Sequence, residues 1–201
     1  MSSNRQTTRL GAEERREQLL QAALATFGRN GFVATSMNDV ALEAGVTKPV
    51  LYQHFVSKHH LYLELLAATG EELVERLSHV VTSAANGREQ VERSFSTFFR
   101  FFADEPGHFT VLFGEGVRSD PSFTAELLRV EDAFAAFTAD FIDIPGLDRA
   151  DRLLYARAIA GMLESSVRRW IQEGERRNPD DAAAMMAELA WRGLRGLGSN
   201  R

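Results

Sequence analysis

Apolar residues recur along this chain at helical spacing. Between residues 12 and 29, Leu19, Leu20, Ala23, Leu24 and Phe27 fall at i, i+3/i+4 intervals and mark one face of an amphipathic helix. Asn30-Gly31 follows, and either residue tolerates the left-handed conformation that ends a helix. Ser36-Met37-Asn38-Asp39 has the arrangement of a capping box, which predicts a short helix over residues 37–44 that stops at Ala44-Gly45. Thr47 at an N-cap, with Pro49 in the first turn where no backbone donor is missed, predicts another over 48–54. Ser57 opens a long fourth helix, residues 58–84, whose apolar stripe includes Leu61, Leu65, Ala68, Leu73, Leu77 and Val80.

The rest of the chain is punctuated in the same way. Asn86-Gly87 separates the fourth helix from a fifth at about residues 88–103. Pro106 and Pro121 occupy first-turn positions, the latter behind Asp120 as N-cap, and Ile144-Pro145-Gly146 reads as a turn. Asp148 opens a long helix to about Glu173, and Asn178-Pro179-Asp180-Asp181 starts a last one with two acids facing its dipole. No stretch shows the period-2 alternation of a strand, and no Asn-Gly or Asp-Gly turn joins two apolar runs. The expected fold is therefore all-α, with about nine helices: a three-helix head over residues 1–57, of which 1–11 form an arm expected to be flexible, and a helical body over 58–201.

Composition narrows the class. Hydrophobic residues make up 44% of the chain and charged residues 25%, as in ordinary globular proteins. No apolar run reaches the length of a membrane span, and none near the N-terminus could serve as a secretory signal. Without cysteine there are no disulfides and no thiolate metal sites, so the cytoplasm is the expected location and no membrane partner is expected. The net charge of −5 argues against a nucleic-acid partner until its distribution is considered. Residues 1–60 carry seven basic groups against five acidic ones, so the excess negative charge lies in the body. Lys48 and Lys58 are the only lysines, and both fall in one short stretch of the head.

Two short helices separated by Ala44-Gly45-Val46 fit a helix-turn-helix, with Val40, Ala41 and Val46 burying against Leu24, Phe27, Leu51 and Phe55. That leaves Thr47, Lys48, Val50, Tyr52, Gln53 and His54 on the outer surface of the second helix, which must enter the major groove of DNA. Four segments carry a family resemblance in order and spacing. They are Phe27-Gly28-Arg29-Asn30-Gly31-Phe32, Thr35 through Ala41, Ala44 through Phe55, and Ser57-Lys58-His59-His60-Leu61. Together they resemble the signature of the tetracycline-repressor (TetR) family of transcriptional regulators, with Pro49 standing where glycine is more usual and His59 where glutamate is. The resemblance implies that Thr35 and Ser36 meet phosphate, that Thr47, Lys48 and Val50 face the groove beside Gln53, and that Tyr52 and His54 grip the backbone. It also implies that Lys58 reaches phosphate from the start of the fourth helix. Arg5 and Arg9 on the arm are candidates for a neighbouring groove.

The body holds a concentration of aromatic residues: of 14 phenylalanines, 11 lie between Phe95 and Phe141. Phe95, Phe98, Phe99 and Phe102 share one helical face, and Phe134, Phe137 and Phe141 share another. Together with Phe109 and Phe113 they are candidate walls of a lipophilic cavity, with Arg100 as a candidate partner for the carboxylate or phosphate of an amphiphile. A fatty acyl chain, an acyl-CoA and a flat hydrophobic drug fit that description equally. The last two helices offer Ile159, Met162, Val167 and Trp170, then Ala183, Met186, Ala190, Gly193 and Leu197. The resemblance implies that these helices pair with their mates in a homodimer on a palindromic DNA operator, and that an effector in the cavity releases a repressor. No HExxH, Gly-x-Ser-x-Gly or Walker loop is present, and the adjacent His59 and His60 point about 100° apart on a helix. Neither an enzyme, nor a cofactor, nor a metal site is expected.

Overall fold

The computed structural model describes residues 11–174 and 177–199, the last three of these by their backbone alone. The arm arginines Arg5 and Arg9 and the side chain of Leu197 lie outside the described residues. Within them the chain forms ten helical segments and no strand. The head comprises α1 (Ala12–Ala34), α2 (Met37–Glu43) and α3 (Lys48–His54), and α4 (Lys58–Thr82) runs from the head into the body. The body continues with α5 (Gly87–Asp104), α6 (Gly107–Phe113), α7 (Glu115–Ser119), α8 (Pro121–Phe141), α9 (Arg149–Gln172) and α10 (Pro179–Ser199).

The capping signals act as the sequence indicates. The Ser36 hydroxyl accepts from the Asp39 N–H at 3.3 Å while the Asp39 carboxylate accepts from the Ser36 N–H at 2.8 Å, which closes the capping box of α2. Ser57, Asn86 and Asp148 likewise accept from N–H groups in the first turns of α4, α5 and α9. Two boundaries differ from expectation. Gly31 takes the left-handed conformation, with φ 73°, yet one more helical turn follows it to Ala34. Pro106 is the N-cap of α6 rather than its first helical residue.

Head and body share one apolar core. Leu19, Leu24 and Phe27 of α1, Val40 of α2, Leu51 of α3 and Leu61 of α4 belong to the same buried cluster as Phe98, Phe102, Phe123 and Val167 of the body. Helix α1 packs along α6 with Gly28 set against Gly107. A Cβ on Gly28 would stand 2.5 Å from the Gly107 Cα. The boundary expected after residue 57 therefore separates helices in sequence but not hydrophobic cores in space. On the far side of the body, α10 packs along α5. Arg88 of α5 donates to Glu188 of α10 at 3.0 Å, and Arg100 pairs with Asp180.

Candidate DNA interface and effector cavity

The turn between α2 and α3 depends on Gly45, whose φ of 65° lies in the left-handed region that favours glycine. Its N–H donates to the Leu42 carbonyl at 3.1 Å, the Val46 N–H donates to Ala41 at 2.9 Å, and the Gln18 amide donates to Ala44 at 3.2 Å. The turn is thereby tied to α1, and α3 leaves it with Leu51 buried and Thr47, Lys48, Pro49, Tyr52 and Gln53 exposed. Val50 and His54 are half-buried at the edges of that face. Thr47 is the N-cap by position only: its hydroxyl makes no bond to the helix, contrary to the expected cap. The Lys48 ammonium stands 5.9 Å from the centre of the Tyr52 ring, so cation and aromatic ring share one outward face.

Two residues expected at phosphate are placed otherwise. Thr35 is 2% exposed, and its hydroxyl donates to the Gly31 carbonyl at 2.8 Å. Its neighbour Ser36 is exposed at the start of α2, so of the pair it is Ser36 that is open to solvent. The Ser36 hydroxyl at 2.7 Å, and after it the Ser36 N–H, hold the Asp39 carboxyl below the usual carboxylate range. Lys58 is turned inward, where its ammonium donates to the carbonyls of Phe32 at 2.9 Å, Thr35 at 3.0 Å and Val33 at 3.4 Å. Backbone carbonyls at the end of α1 take the place of the phosphate expected there.

The base of α4 is locked to α8 through His59, the residue that stands where glutamate is usual in the family signature. Its Nε2 lies 2.8 Å from the Ser122 hydroxyl and 3.3 Å from the Asp120 carboxylate, with the ring stacked on Phe123 at 4.6 Å. The Ser122 hydroxyl first, then the N–H groups of Ser122 and Phe123 and the His59 ring, outweigh partial burial and lower the Asp120 carboxyl to about 2. Serine, histidine and aspartate meet here without the geometry of a nucleophilic triad. Both partners approach the same ring nitrogen, whereas a triad needs the carboxylate on the opposite one. Asp120 serves instead as the N-cap of α8. Tyr62, one turn along α4, donates to the Val111 carbonyl of α6 at 3.0 Å, and burial pushes its phenol pKa up.

In the body a cavity of about 660 Å3 lies between α4, α5, α8, α9 and α10. Its walls are Leu77 and Val81 of α4, Val91 and Phe95 of α5, Phe134, Phe137 and Phe141 of α8, Ile159 and Leu163 of α9, and Ala190, Trp191 and Leu194 of α10. Ile142, Ile144 and Pro145 close it from the α8–α9 connection, and Gln90, Ser94 and Thr138 supply uncharged polar groups. Phe137 also lines a more open groove of about 640 Å3 between α4 and α8. Of the expected ligand residues, Phe95, Phe134, Phe137 and Phe141 thus stand at the cavity.

The others do not. Phe98 and Phe102 pack on one another at 5.1 Å, Phe99 packs on Trp170 at 6.1 Å, and Phe109 and Phe113 meet at 5.3 Å beside Phe102. These five build the aromatic core between α5, α6 and α9. Arg100 is drawn away to Asp180, where it ties α5 to the first turn of α10.

The expected dimer residues need a similar correction. Val167, Trp170, Ala183 and Ala190 are buried within the chain, and Ile159 faces the cavity. Met162 and Met186 are half-buried against the core, and Gly193 is the exposed member of the set among the described residues. The apolar residues α9 and α10 do expose lie on the opposite faces. Leu154, Ala158 and Gly161 form one row, and Met185, Leu189, Gly193 and Gly196 form the other.

The head is a helix-turn-helix, and the body encloses a cavity against the helices that carry the head. Residues 19–65 match the family model for bacterial regulatory proteins of the tetR family. The chain is similar to the HTH-type transcriptional activator FasR of Mycolicibacterium smegmatis, with 30% identity over 192 residues, covering 95% of this chain and 88% of that protein. Among solved structures, a TetR-like transcriptional regulator from Rhodococcus sp. RHA1 superposes with a TM-score of 0.75 at 30% identity, over 94% of this chain and 100% of the other. The regulator FadR of Bacillus subtilis, solved in complex with stearoyl-CoA, shares the fold with a TM-score of 0.76 at 17% identity, over 87% of this chain and 96% of the other. The chain belongs to the TetR family and is a DNA-binding transcriptional regulator. Among the described residues no helix is long and apolar enough to cross a membrane, and no group of histidines and carboxylates could hold a metal ion.

Proposed function

We propose that this regulator binds a palindromic operator as a homodimer and that a long-chain fatty acyl compound, taken up in the 660 Å3 cavity, controls its hold on DNA. The observation that carries the reading is the position of that cavity. One wall is α4, whose first turn is built into the head, and two others are α9 and α10, which turn apolar rows outward. A ligand there touches at once the helix that bears the reading head and the helices that set the distance between two heads. Two recognition helices must sit ~34–36 Å apart to read successive major grooves, which requires a second copy of the chain.

The chemistry of the walls favours an acyl chain. They are mainly apolar and aromatic, and Gln90, Ser94 and Thr138 suit a carbonyl, while the charged lining residues Asp140, Asp143 and Arg195 are all exposed to solvent. The stearoyl-CoA bound by the Bacillus subtilis neighbour supports the same class. Release follows if the ligand prefers the conformation whose heads no longer match the grooves. Reversing a 99:1 equilibrium takes ~5.5 kcal/mol of differential affinity. The repressor reading rests on the family resemblance, whereas the name of the mycobacterial relative favours an activator. Release by effector serves either, since the outcome depends on where the operator lies relative to the promoter. We propose no catalytic role for the chain.

Titration calorimetry with stearoyl-CoA tests the cavity assignment. One molecule is expected per protomer, and Ser94→Trp, which fills the cavity from α5, is expected to weaken binding at least tenfold. Unaltered binding in that variant would place the ligand elsewhere.

A further inference from the structure

The last four carbonyls of an α-helix have no partner within the helix. At the end of α1 three of them, those of Gly31, Phe32 and Val33, are satisfied from outside. The Thr35 hydroxyl serves Gly31, and the Lys58 ammonium serves Phe32 and Val33 and reaches on to the Thr35 carbonyl. An ammonium has three donors and no acceptor, so this set occupies all of them. Its charge also sits at the negative end of the α1 dipole and 4.3 Å from the centre of the Phe32 ring. Phe32 in turn meets Tyr62 of α4 at 5.0 Å and Phe123 of α8 at 4.9 Å. To touch a phosphate, Lys58 would have to abandon the carbonyls of Phe32, Val33 and Thr35, for which no other side-chain donor is found among the described residues. Lys48 makes the contrast: it is exposed, with the ring of Tyr52 beside it.

From this we infer that Lys58 is a positioning residue for DNA recognition, a clamp from the first turn of α4 onto the corner between α1 and α2, and not a phosphate contact. Helix α2 is capped by Ser36, the residue after the last carbonyl Lys58 holds, and α3 follows from α2 through the Gly45 turn. The clamp therefore fixes where the recognition helix stands relative to α4.

Salt dependence separates the two roles. Removing one cation from a phosphate lowers the slope of log affinity against log salt by ~0.9. A duplex selected from random sequence by the wild-type protein is titrated with wild type, Lys58→Met, Lys58→Arg and Lys48→Ala over a range of salt, and amide hydrogen exchange is followed over residues 34–39. Lys58→Met is expected to weaken binding at least tenfold with the wild-type slope and to speed exchange in that segment. Lys58→Arg keeps the charge, but its planar fork cannot place donors on three converging carbonyls, so it is expected to weaken binding with the wild-type slope too. Lys48→Ala, removing an outward cation, is expected to lower the slope. The inference is overturned if Lys58→Met lowers the slope by ~0.9 or more per head while exchange stays slow. It is overturned equally if Lys58→Arg binds and exchanges like wild type, or if neither Lys58 variant changes affinity.

Discussion

Gly28→Val is expected to destabilise the protein by about 3 kcal/mol, the upper part of the range for overpacking a close contact. The obstacle is backbone rather than side chain. A Cβ at residue 28 stands 2.5 Å from the Gly107 Cα and 3.4 Å from its carbonyl carbon, so no rotamer change relieves it. Gly107 has no slack to offer, because its own Cβ position lies 3.3 Å from the Gly28 Cα and 3.4 Å from the Leu24 carbonyl oxygen. Helices α1 and α6 must separate, and with them the packing of Phe27 and Tyr62, whose rings meet at 5.0 Å. In a chain of this size each kcal/mol moves the midpoint by ~2–4 °C, so a thermal melt should show a fall of several degrees or more. A midpoint unchanged within about 1–2 °C would mean that the crossing yields easily and that α6 does not hold the head in register with the body.

Leu189→Glu is expected to convert the proposed dimer to monomers and to weaken operator binding by at least ~100-fold, the scale on which linking two binding modules raises affinity. Leu189 is 59% exposed on α10, in a row with Met185, Gly193 and Gly196, and a Cβ added at either glycine meets no atom within 4 Å. Leu154, at 66% exposure, and Gly161 present a second apolar row on α9. Burying a new carboxylate on each of two facing copies leaves both unpaired in a low-dielectric contact, which association cannot sustain. The substitution points away from the cavity, whose wall on α10 is Ala190, Trp191 and Leu194, so acyl binding should survive it. Sedimentation equilibrium checks the result. A variant that still sediments as a dimer would place the interface elsewhere.

How much of the fold and the site is legible in the sequence depends on how local the cause is. The capping box at Ser36 and Asp39, the turn at Gly45 and the breaks at Asn86-Gly87 and Pro121 act within a few residues of themselves, and the helices stand where they indicate. The outward face of α3 is legible for the same reason, since Leu51 marks the buried side of a short helix. What fails are assignments that depend on a partner. A lysine beside a recognition helix reads as a phosphate ligand until the end of α1, some 26 residues earlier, is seen to lie beneath it. Small residues line both faces of α10, Ala183 and Ala190 inward and Gly193 and Gly196 outward, so periodicity finds a stripe without saying which stripe meets a second copy.

The phenylalanines of α5 show the same limit. Phe95 faces the cavity while Phe98, Phe99 and Phe102, on the same side of the helix, pack the core deeper in the bundle. Helical phase gives the side but not the depth. The cavity wall contributed by Ile142, Ile144 and Pro145 belongs to a connection with no periodicity to read.

The central claim is that a ligand in the body governs the head's hold on DNA. It is tested most directly by the fluorescence anisotropy of a labelled operator duplex, titrated with the dimer in the absence and presence of saturating stearoyl-CoA at fixed salt. A fall in operator affinity of at least tenfold, absent in Ser94→Trp, is the predicted result. Stearoyl-CoA that binds in calorimetry yet leaves the operator affinity of the wild-type dimer unchanged would contradict the account.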